Sequence, residues 1–454
     1  METKVTGYLP DERPPFWKLI LYALQQVVVM FPATILVALI SGFHLDTTIF
    51  ASGLATLCFI LVTGRKIPLY FGSSFAYLSA IIGLTGGVEF GQVMPSEMIS
   101  AVQFGIMASG LVSIVAGLIV RRFGRDKIEK VLPAPVTGSV AIIIGLTLAA
   151  TALKDAAPVQ GAADITGSDW VWVVSLITML ATIFASVYLK GIWGQLPLLI
   201  GPAIGCLAAF VVYLITGESL FRTLPESAAP DIVLVPGLLS VPHITLPRFS
   251  GAAVAALMPI ALATIPESTA HVFQLDIYVN SLARKMGKKE YDIGNRLGDN
   301  LIGDGIGDII AGLIGGPGGT NYGENISAMA ITKIFSVPVL ICAAILAMII
   351  ACFTPLVNVI YAIPQAVIGG IEIYLFGAIA AQGIAIMIEN KADMFDAKNI
   401  AVIAVIMIIG LGGQYQFGGN IPFFGIEVPC VAGAAIVGIV LNLLLSIGRK
   451  KETA

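Results

Sequence analysis

The sequence predicts an all-α integral membrane protein with fourteen transmembrane segments, arranged as two inverted seven-helix repeats. Three observations support this fold class. Of the 454 residues, 57% are hydrophobic and only 12% are charged, whereas soluble domains carry about 25% charged residues. Basic residues gather in alternate connections, and two parts of the chain resemble each other half a chain length apart. We therefore expect a chain embedded in a lipid bilayer, without a soluble domain.

The fourteen segments are apolar stretches bounded by glycine, proline or charged residues. Crossing a bilayer takes about 20 apolar residues, and segments 3, 9 and 10 are the weakest because glycine or polar residues interrupt them. Segments 1 to 14 lie near residues 17–41, 49–64, 68–86, 101–121, 133–151, 170–189, 196–216, 251–273, 297–314, 322–335, 336–355, 363–388, 396–412 and 425–447.

The basic residues favour one orientation. With the N-terminus in the cytoplasm, only Lys154, Arg222 and Arg248 of the 25 Lys and Arg residues fall outside the cytoplasmic parts. This asymmetry follows the positive-inside rule. Residues 1–14 lack the basic-then-apolar order of a cleaved signal peptide, so segment 1 is expected to be retained. The sequence predicts a multi-pass protein of the plasma (inner) membrane with both termini cytoplasmic.

An internal repeat predicts the inverted arrangement. Residues 132–142 resemble residues 363–373 at an offset of 231, and residues 71–80 resemble residues 320–328 more faintly at an offset of 248. The first pair belongs to segments 5 and 12, which are seven segments apart, and a unit with an odd number of spans must invert. We expect the first repeat in 1–216, an external connection in 217–250 and the second repeat in 251–454.

Segments 3 and 10 are rich in glycine and serine where a helix should be apolar. The run Gly315-Gly-Pro-Gly-Gly319 just before segment 10 is too dense in helix breakers for an intact span. Interrupted segments at corresponding positions of two halves indicate a binding site of the kind found in secondary transporters, since broken helices are tolerated only where they line a cavity. Close helix packing is the alternative role for these glycines.

Four ionisable residues at membrane depth are candidate functional groups, because burying each one is costly. Glu267 and His271 of segment 8 share a helix face through their i, i+4 spacing, and both can exchange protons. They could instead pair with each other to hide their polarity. Glu324 begins segment 10, and Glu372 in segment 12 has either a functional or a helix-pairing role.

Several other features favour structural roles or exclude classes of function. Three aspartates of segment 9 are expected at a solvated helix start, and the five cysteines are expected to pack. The net charge of −3 argues against nucleic-acid binding. The sequence has no P-loop, no GxSxG and no metal-ligand cluster, so we expect no metal, no cofactor and a gradient-driven process. The aspartates are Asp299, Asp304 and Asp308.

The motif in segment 10 resembles the signature of the nucleobase-ascorbate transporter family, and most closely that of bacterial uracil permeases. The signature is an acid, amide or proline, then Asn-x-Gly-x-x-x-x-Thr, then a basic residue or glycine. Residues 324–333 match it at Glu324, Asn325, Thr332 and Lys333, and depart from it at Ser327, where the family has glycine. Further similarity lies in Phe71-Gly-Ser-Ser-Phe-Ala76 and Met30-Phe-Pro-Ala-Thr34, and it extends from about residue 15 to 447.

The resemblance implies a core domain of segments 1–4 and 8–11 and a gate domain of segments 5–7 and 12–14. Short antiparallel strands in segments 3 and 10 would meet at the membrane midplane beside the substrate. A homodimer would be consistent with the family.

The resemblance also implies roles for individual residues. Glu267 would bind the N–H and carbonyl edge of a pyrimidine, and Glu324 would bind a second ring N–H. His271 would reach a carbonyl and act with Glu267 in proton coupling, while Phe75 would stack on the ring. The backbone of three residues would complete the pocket: Ala33, Tyr322 and Gly323.

The sequence thus favours a secondary transporter that imports uracil or a related pyrimidine with protons. A xanthine or uric acid permease is the main alternative, and an intramembrane enzyme a distant one. Departures from the family pattern at Gln26, Pro32 and Ser327 lie near the expected pocket, so preference for a base other than uracil stays open.

Overall fold

Long apolar runs fold into helices at all the predicted segments. The computed structural model describes residues 7–88, 91–124, 130–158, 168–191, 193–222 and 238–447. Within these residues, nine helices are long and apolar enough to cross a membrane. The number of membrane crossings stays a prediction, because segments 3, 10, 11 and 14 are shorter helices and segment 9 is less apolar.

The helices of segments 1 to 14 have these bounds: Phe16–Ser41, Leu45–Val62, Leu78–Thr85, Ser96–Phe123, Ala134–Thr147 with Ala149–Ala156, Trp170–Tyr188, Pro197–Thr216, Gly251–Leu257 with Ala261–Lys285, Leu297–Ile314, Gly323–Thr332, Val337–Ala351, Gln365–Glu389, Ala397–Phe417 and Cys430–Ser446. A further short helix, Thr354–Tyr361, connects segments 11 and 12.

Two short strands interrupt segments 3 and 10, as the family resemblance implies. Strand β1 (Phe71–Ser73) pairs antiparallel with β2 (Gly319–Asn321), with Gly72 opposite Thr320. The glycine run ends segment 9 at Ile314 because Gly315 adopts a φ of +100°, a conformation that suits glycine and stops a helix. The strands begin 248 residues apart, the offset of the fainter sequence echo, and they run in opposite directions. Equivalent elements of opposite direction are what an inverted repeat produces.

The second sequence echo also matches the structure. Pro133 precedes the helix of segment 5 and Pro364 precedes that of segment 12, so both helices begin at the same position of the repeat. Proline at the start of a helix costs no hydrogen bond, since the first N–H groups lack an intrahelical partner.

The helices pack as two groups. In the first helix group, segment 9 packs against segments 2 and 4, segment 11 against segments 1 and 2, and segment 8 against segments 4, 9 and 10. In the second helix group, segment 12 packs against segments 5, 6 and 7, and segment 13 against segments 5 and 14. The groups meet where segment 8 contacts segments 5 and 14 and where segment 1 contacts segment 7.

Two features differ from the sequence expectation. Segment 8 was expected near 251–273, but its helix continues to Lys285, beyond the apolar stretch. Segment 14 was expected from residue 425, but a hairpin of strands β3 (Asn420–Phe423) and β4 (Ile426–Pro429) precedes the helix. Gly425 has a φ of +81° in the hairpin turn, and Pro429 precedes the first residue of the helix. Of the external connection, residues 223–237 lie outside the described part.

Candidate functional site

The site forms where the two broken segments begin their helices. β1 is followed by a 3-10 turn at Phe75, and β2 by the helix that starts at Gly323. These residues are also 248 positions apart, so they are equivalents in the two repeats. Because the strands are antiparallel, the helices that follow them leave the ribbon from opposite ends, and the first N–H groups of each helix lie next to the ribbon. Helix N-termini attract carbonyl and other electron-rich groups.

The start of segment 10 is held by the surrounding backbone. Tyr322 N–H donates to Tyr70 O at 3.0 Å, and Tyr322 Oη donates to Ser73 O at 3.0 Å and lies 2.9 Å from Thr34 Oγ1. Tyr322 makes no side-chain cap to the helix that follows it. The Tyr322 side chain therefore does not compete with a ligand for the first-turn N–H groups, although the N–H of Glu324 interacts with its own carboxyl group.

Glu267 and His271 meet this helix start from segment 8. A Cβ atom placed on Gly323 would lie 2.9 Å from His271 Nε2, so the imidazole packs against the glycine. Glu267 interacts electrostatically with Glu324 and Asp304. Glu267, His271, Gly323 and Glu324 are therefore brought together.

Glu267 Oε2 and His271 Nδ1 are buried, and neither has a hydrogen-bond partner among the described residues. No hydrogen bond between the two side chains uses these atoms, so pairing with each other does not satisfy them. Buried polar atoms are normally paired, and unpaired ones need an explanation such as a ligand or water. These atoms are available to a bound molecule.

Phe75 lies in the other repeat and is 8% exposed. Its ring packs edge to face against Phe376 of segment 12, with centroids 5.5 Å apart. Ser74 caps the turn by accepting a hydrogen bond from Ala76 N–H at 3.2 Å. Ala33 of segment 1 is fully buried, in line with a contribution through its backbone.

A cavity of about 240 Å³ reaches Glu324 from between the two helix groups. Its lining from the first helix group includes Pro32, Glu324 and Ser327, and its lining from the second includes Tyr374 and Gln382. Glu267, His271 and Phe75 are not part of this lining, so Glu324 and Ser327 are the predicted polar site residues that the cavity reaches.

The remaining motif residues hold segment 10 in place. Asn325 is fully buried, and its Nδ2 donates to Gln26 Oε1 at 2.8 Å and to Gln26 O at 3.0 Å. Gln26, one of the departures from the family pattern, is thus the hydrogen-bond partner of the motif asparagine. Thr332 Oγ1 donates to Ala328 O at 2.7 Å, and Lys333 ends the helix with a φ of +61°.

Sequence reasoning was wrong about two of the three aspartates in segment 9. Asp304 and Asp308 are 6% and 1% exposed and lie inside the first helix group. Only Asp299 sits at a solvated helix start, where it contacts Arg121 and Arg296.

Asp304 and Asp308 accept hydrogen bonds from residues of the broken segments 3 and 10. Asp304 accepts hydrogen bonds from Asn321 Nδ2 at 2.8 Å and from Ser268, the residue after Glu267. Asp308 accepts from Gly319 N–H at 2.7 Å and from Tyr77 Oη at 3.0 Å, which ties β2 and the 3-10 turn after β1 to segment 9. The i, i+4 spacing of the two acids on one helix face is the signal that could have identified them.

Comparisons with known proteins agree with this arrangement. Residues 17–419 match the family described as "Permease family". The chain belongs to this permease family. It is 34% identical to the uracil permease of Bacillus subtilis, over 99% of this chain and 97% of the relative. It is also 34% identical to the uracil permease of Bacillus caldolyticus, over 96% and 94% of the two chains. The resemblance to nucleobase transporters is confirmed, and the chain is a permease rather than an enzyme.

Solved structures support the fold. The transmembrane domain of the cyanobacterial bicarbonate transporter BicA superposes with a TM-score of 0.60 at 15% identity, covering 94% of this chain and 96% of that one. The murine anion transporter Slc26a9 in the inward-facing state superposes with a TM-score of 0.66 at 13% identity. The match covers 96% of this chain and 69% of that one. At these identities the likeness concerns the fold, a multi-pass membrane architecture.

Proposed function

We propose that this permease imports uracil or a related pyrimidine nucleobase together with protons. The observation that carries the proposal is the convergence of Glu267, His271 and Glu324 at the uncapped start of segment 10. A neutral pyrimidine offers N–H donors and carbonyl acceptors around a flat ring, and carboxylates with backbone N–H groups match that edge. The uracil permeases among the relatives support this substrate class.

Each residue has a role in this proposal. Glu267 binds an N–H and carbonyl edge, and Glu324 binds a second ring N–H. Phe75 stacks on the ring, since an aromatic face suits any flat base. Backbone groups of Ala33, Tyr322 and Gly323 complete the pocket.

Glu267 and His271 are proposed as the proton-coupling residues. Their unpartnered buried atoms can gain or lose a proton without breaking an existing hydrogen bond. A proton taken up with the substrate would offset the charge of the buried carboxyl group. The histidine beside it is the side chain whose ordinary titration lies nearest neutral pH.

Transport follows alternating access in this proposal, with the first helix group as the core domain and the second as the gate domain. The cavity beside Glu324 also contacts Gly194 and Leu196, which lie in a connection predicted to be cytoplasmic. At the opposite end, Leu45 N–H donates to Tyr361 Oη at 3.1 Å and joins the two groups. These two contacts support a transporter that is open to the cytoplasm. The proposal also puts both termini in the cytoplasm and the protein in the inner membrane. A homodimer is part of the proposal by family analogy.

Binding of bases to the purified protein in detergent tests the substrate assignment. Thermal unfolding is measured with uracil, thymine and xanthine for the wild type, Glu267→Gln and Glu324→Gln. We expect uracil to raise the melting temperature of the wild type more than xanthine does, and both variants to lose the uracil shift. A larger shift with xanthine would favour the purine alternative, and normal binding by the variants would remove these residues from the site.

A further inference from the structure

A buried pair of acidic side chains lies in the second helix group, apart from the substrate site. Asp155 ends segment 5 and is 4% exposed, while Glu372 lies two turns into segment 12 and is fully buried. The two carboxyl groups are within hydrogen-bonding reach of each other. The backbones of these segments also approach closely, because a Cβ atom on Gly369 would lie 2.2 Å from Ala156 N.

Too few donors surround this pair to satisfy two carboxylates. Gln365 Nε2 donates to Asp155 Oδ1 at 2.8 Å. Asp155 Oδ2 and both carboxyl oxygens of Glu372 are buried and accept no hydrogen bond from the described residues. Ser175, which is near the pair, donates instead to Ala156 O at 2.8 Å.

The charged and titratable neighbours lie on the Asp155 side. Arg222 and Lys154 interact electrostatically with Asp155, and Arg222 also interacts with Tyr361. For Glu372, the titratable neighbour within the described residues is Asp155. No cation within the described part of segments 5, 6, 7 and 12 is placed to neutralise Glu372.

We propose that Asp155 and Glu372 share one bound proton and form a second proton-binding site, separate from Glu267 and His271. Two adjacent carboxylates without donors repel each other in an apolar interior, whereas one proton between them turns the repulsion into a hydrogen bond. The protonated pair holds the outer end of segment 5 against segment 12.

The position of the pair connects it to the contact between the helix groups. Tyr361, which interacts with Arg222 beside Asp155, is the residue whose Oη accepts the hydrogen bond from Leu45 N–H. Loss of the shared proton leaves Asp155 and Glu372 both negatively charged near the hydrogen bond between Leu45 and Tyr361. A site that binds its proton only in the folded protein stabilises the fold at low pH, and this stabilisation is lost as pH rises through the point of release.

The test compares thermal unfolding of the purified full chain in detergent between about pH 5 and pH 9. The proteins are the wild type, Glu372→Gln, Asp155→Asn and the control Glu97→Gln, which removes an exposed acid of segment 4. An amide donates a hydrogen bond to the remaining carboxylate without needing a proton. We expect both pair variants to match the wild type at the acidic end and to melt several degrees higher at the alkaline end, while the control follows the wild type.

Infrared spectra of the same samples give a second readout. At neutral pH the wild type should show the carbonyl band of a protonated carboxyl group that either pair variant removes. A constant melting offset at all pH values, or an unchanged band, would overturn the shared proton. If one of the two pair variants does not fold, the melting curves and infrared spectra of the other are sufficient to test the shared proton. These measurements contain no substrate, so their result is independent of the proposed uracil site.

Discussion

Segments 3 and 10 occupy equivalent places in the two repeats, yet they carry different chemistry into the site that we propose. Both consist of a three-residue strand followed by a short helix at the same offset of 248 residues. Segment 3 begins its helical turn with an aromatic ring, Phe75, and Ser74 caps that turn. Segment 10 begins with Gly323 and Glu324 and has no side-chain cap.

The difference shows that two copies of one backbone arrangement can carry side chains of different chemistry. Segment 3 provides an apolar face, and the Ser74 side chain already accepts a hydrogen bond from Ala76 N–H. Segment 10 provides a carboxyl group and a helix start without a cap from Tyr322, and we propose that they bind the polar edge of the ligand. Gly323 leaves the space into which His271 packs, whereas the ring of its equivalent, Phe75, packs against Phe376.

The largest expected effect on uracil binding comes from segment 10, the polar half of the proposed site. Glu324→Gln replaces a charged acceptor by an amide, and a hydrogen bond to a charged group contributes about 1.5–3 kcal/mol. We expect uracil affinity to fall by about ten- to a hundredfold, measured by isothermal titration calorimetry. Glu97→Gln, an exposed acid in the same repeat as segment 3, is the control and should bind normally. An unchanged uracil affinity in Glu324→Gln would contradict the proposal that segment 10 binds the polar edge of the base.

The second-largest effect on uracil binding is expected from segment 3, the apolar half of the proposed site. Phe75→Ala removes the stacking face, which is worth about 1–3 kcal/mol per base in other base-binding proteins. We expect roughly tenfold weaker binding, with Phe75→Tyr close to the wild type. Phe395→Ala is the control, because Phe395 is 93% exposed. Should uracil bind Phe75→Ala as tightly as the wild type, the two halves would not share one ligand.

Gly323→Ala tests the space between the halves. The added methyl group would approach His271 Nε2 to 2.9 Å, so the imidazole must move. We expect a few-fold loss of uracil affinity in a direct binding assay. Gly251→Ala is the matched control, since no atom lies within 4 Å of the new Cβ there. Equal behaviour of the two variants would contradict close packing of His271 on Gly323.

The smallest effect is expected from the cap in segment 3. Ser74→Ala removes the hydrogen bond to Ala76 N–H, and loss of an N-cap typically costs about 1 kcal/mol of stability. The melting temperature should fall slightly, and uracil affinity should change less than in Phe75→Ala. A loss of binding as large as that of Phe75→Ala would show that the capped turn itself contacts the ligand.

Much of this arrangement could be predicted from sequence because it depends on local chemistry. The glycine run 315–319 predicted the break before segment 10, and apolar length predicted the helices. Polar residues at membrane depth identified Glu267, His271 and Glu324 because their burial is costly.

Other features depend on contacts that no local pattern contains. Asp304 and Asp308 resemble a solvated helix start, since the glycines around them lower the hydropathy, and only tertiary packing buries them. The pairing of Gln26 with Asn325 and of Asp155 with Glu372 joins residues far apart in the chain. Folding sets such partners through the packing of whole helices.

Uptake of labelled uracil into proteoliposomes tests the central claim most directly. The wild type and Glu324→Gln are compared with an imposed inward proton gradient, an inward sodium gradient and no gradient. The account predicts that the proton gradient alone drives accumulation of unmodified uracil by the wild type, that a protonophore abolishes it and that Glu324→Gln fails to accumulate uracil. Accumulation that follows sodium, or that persists in Glu324→Gln, would contradict it.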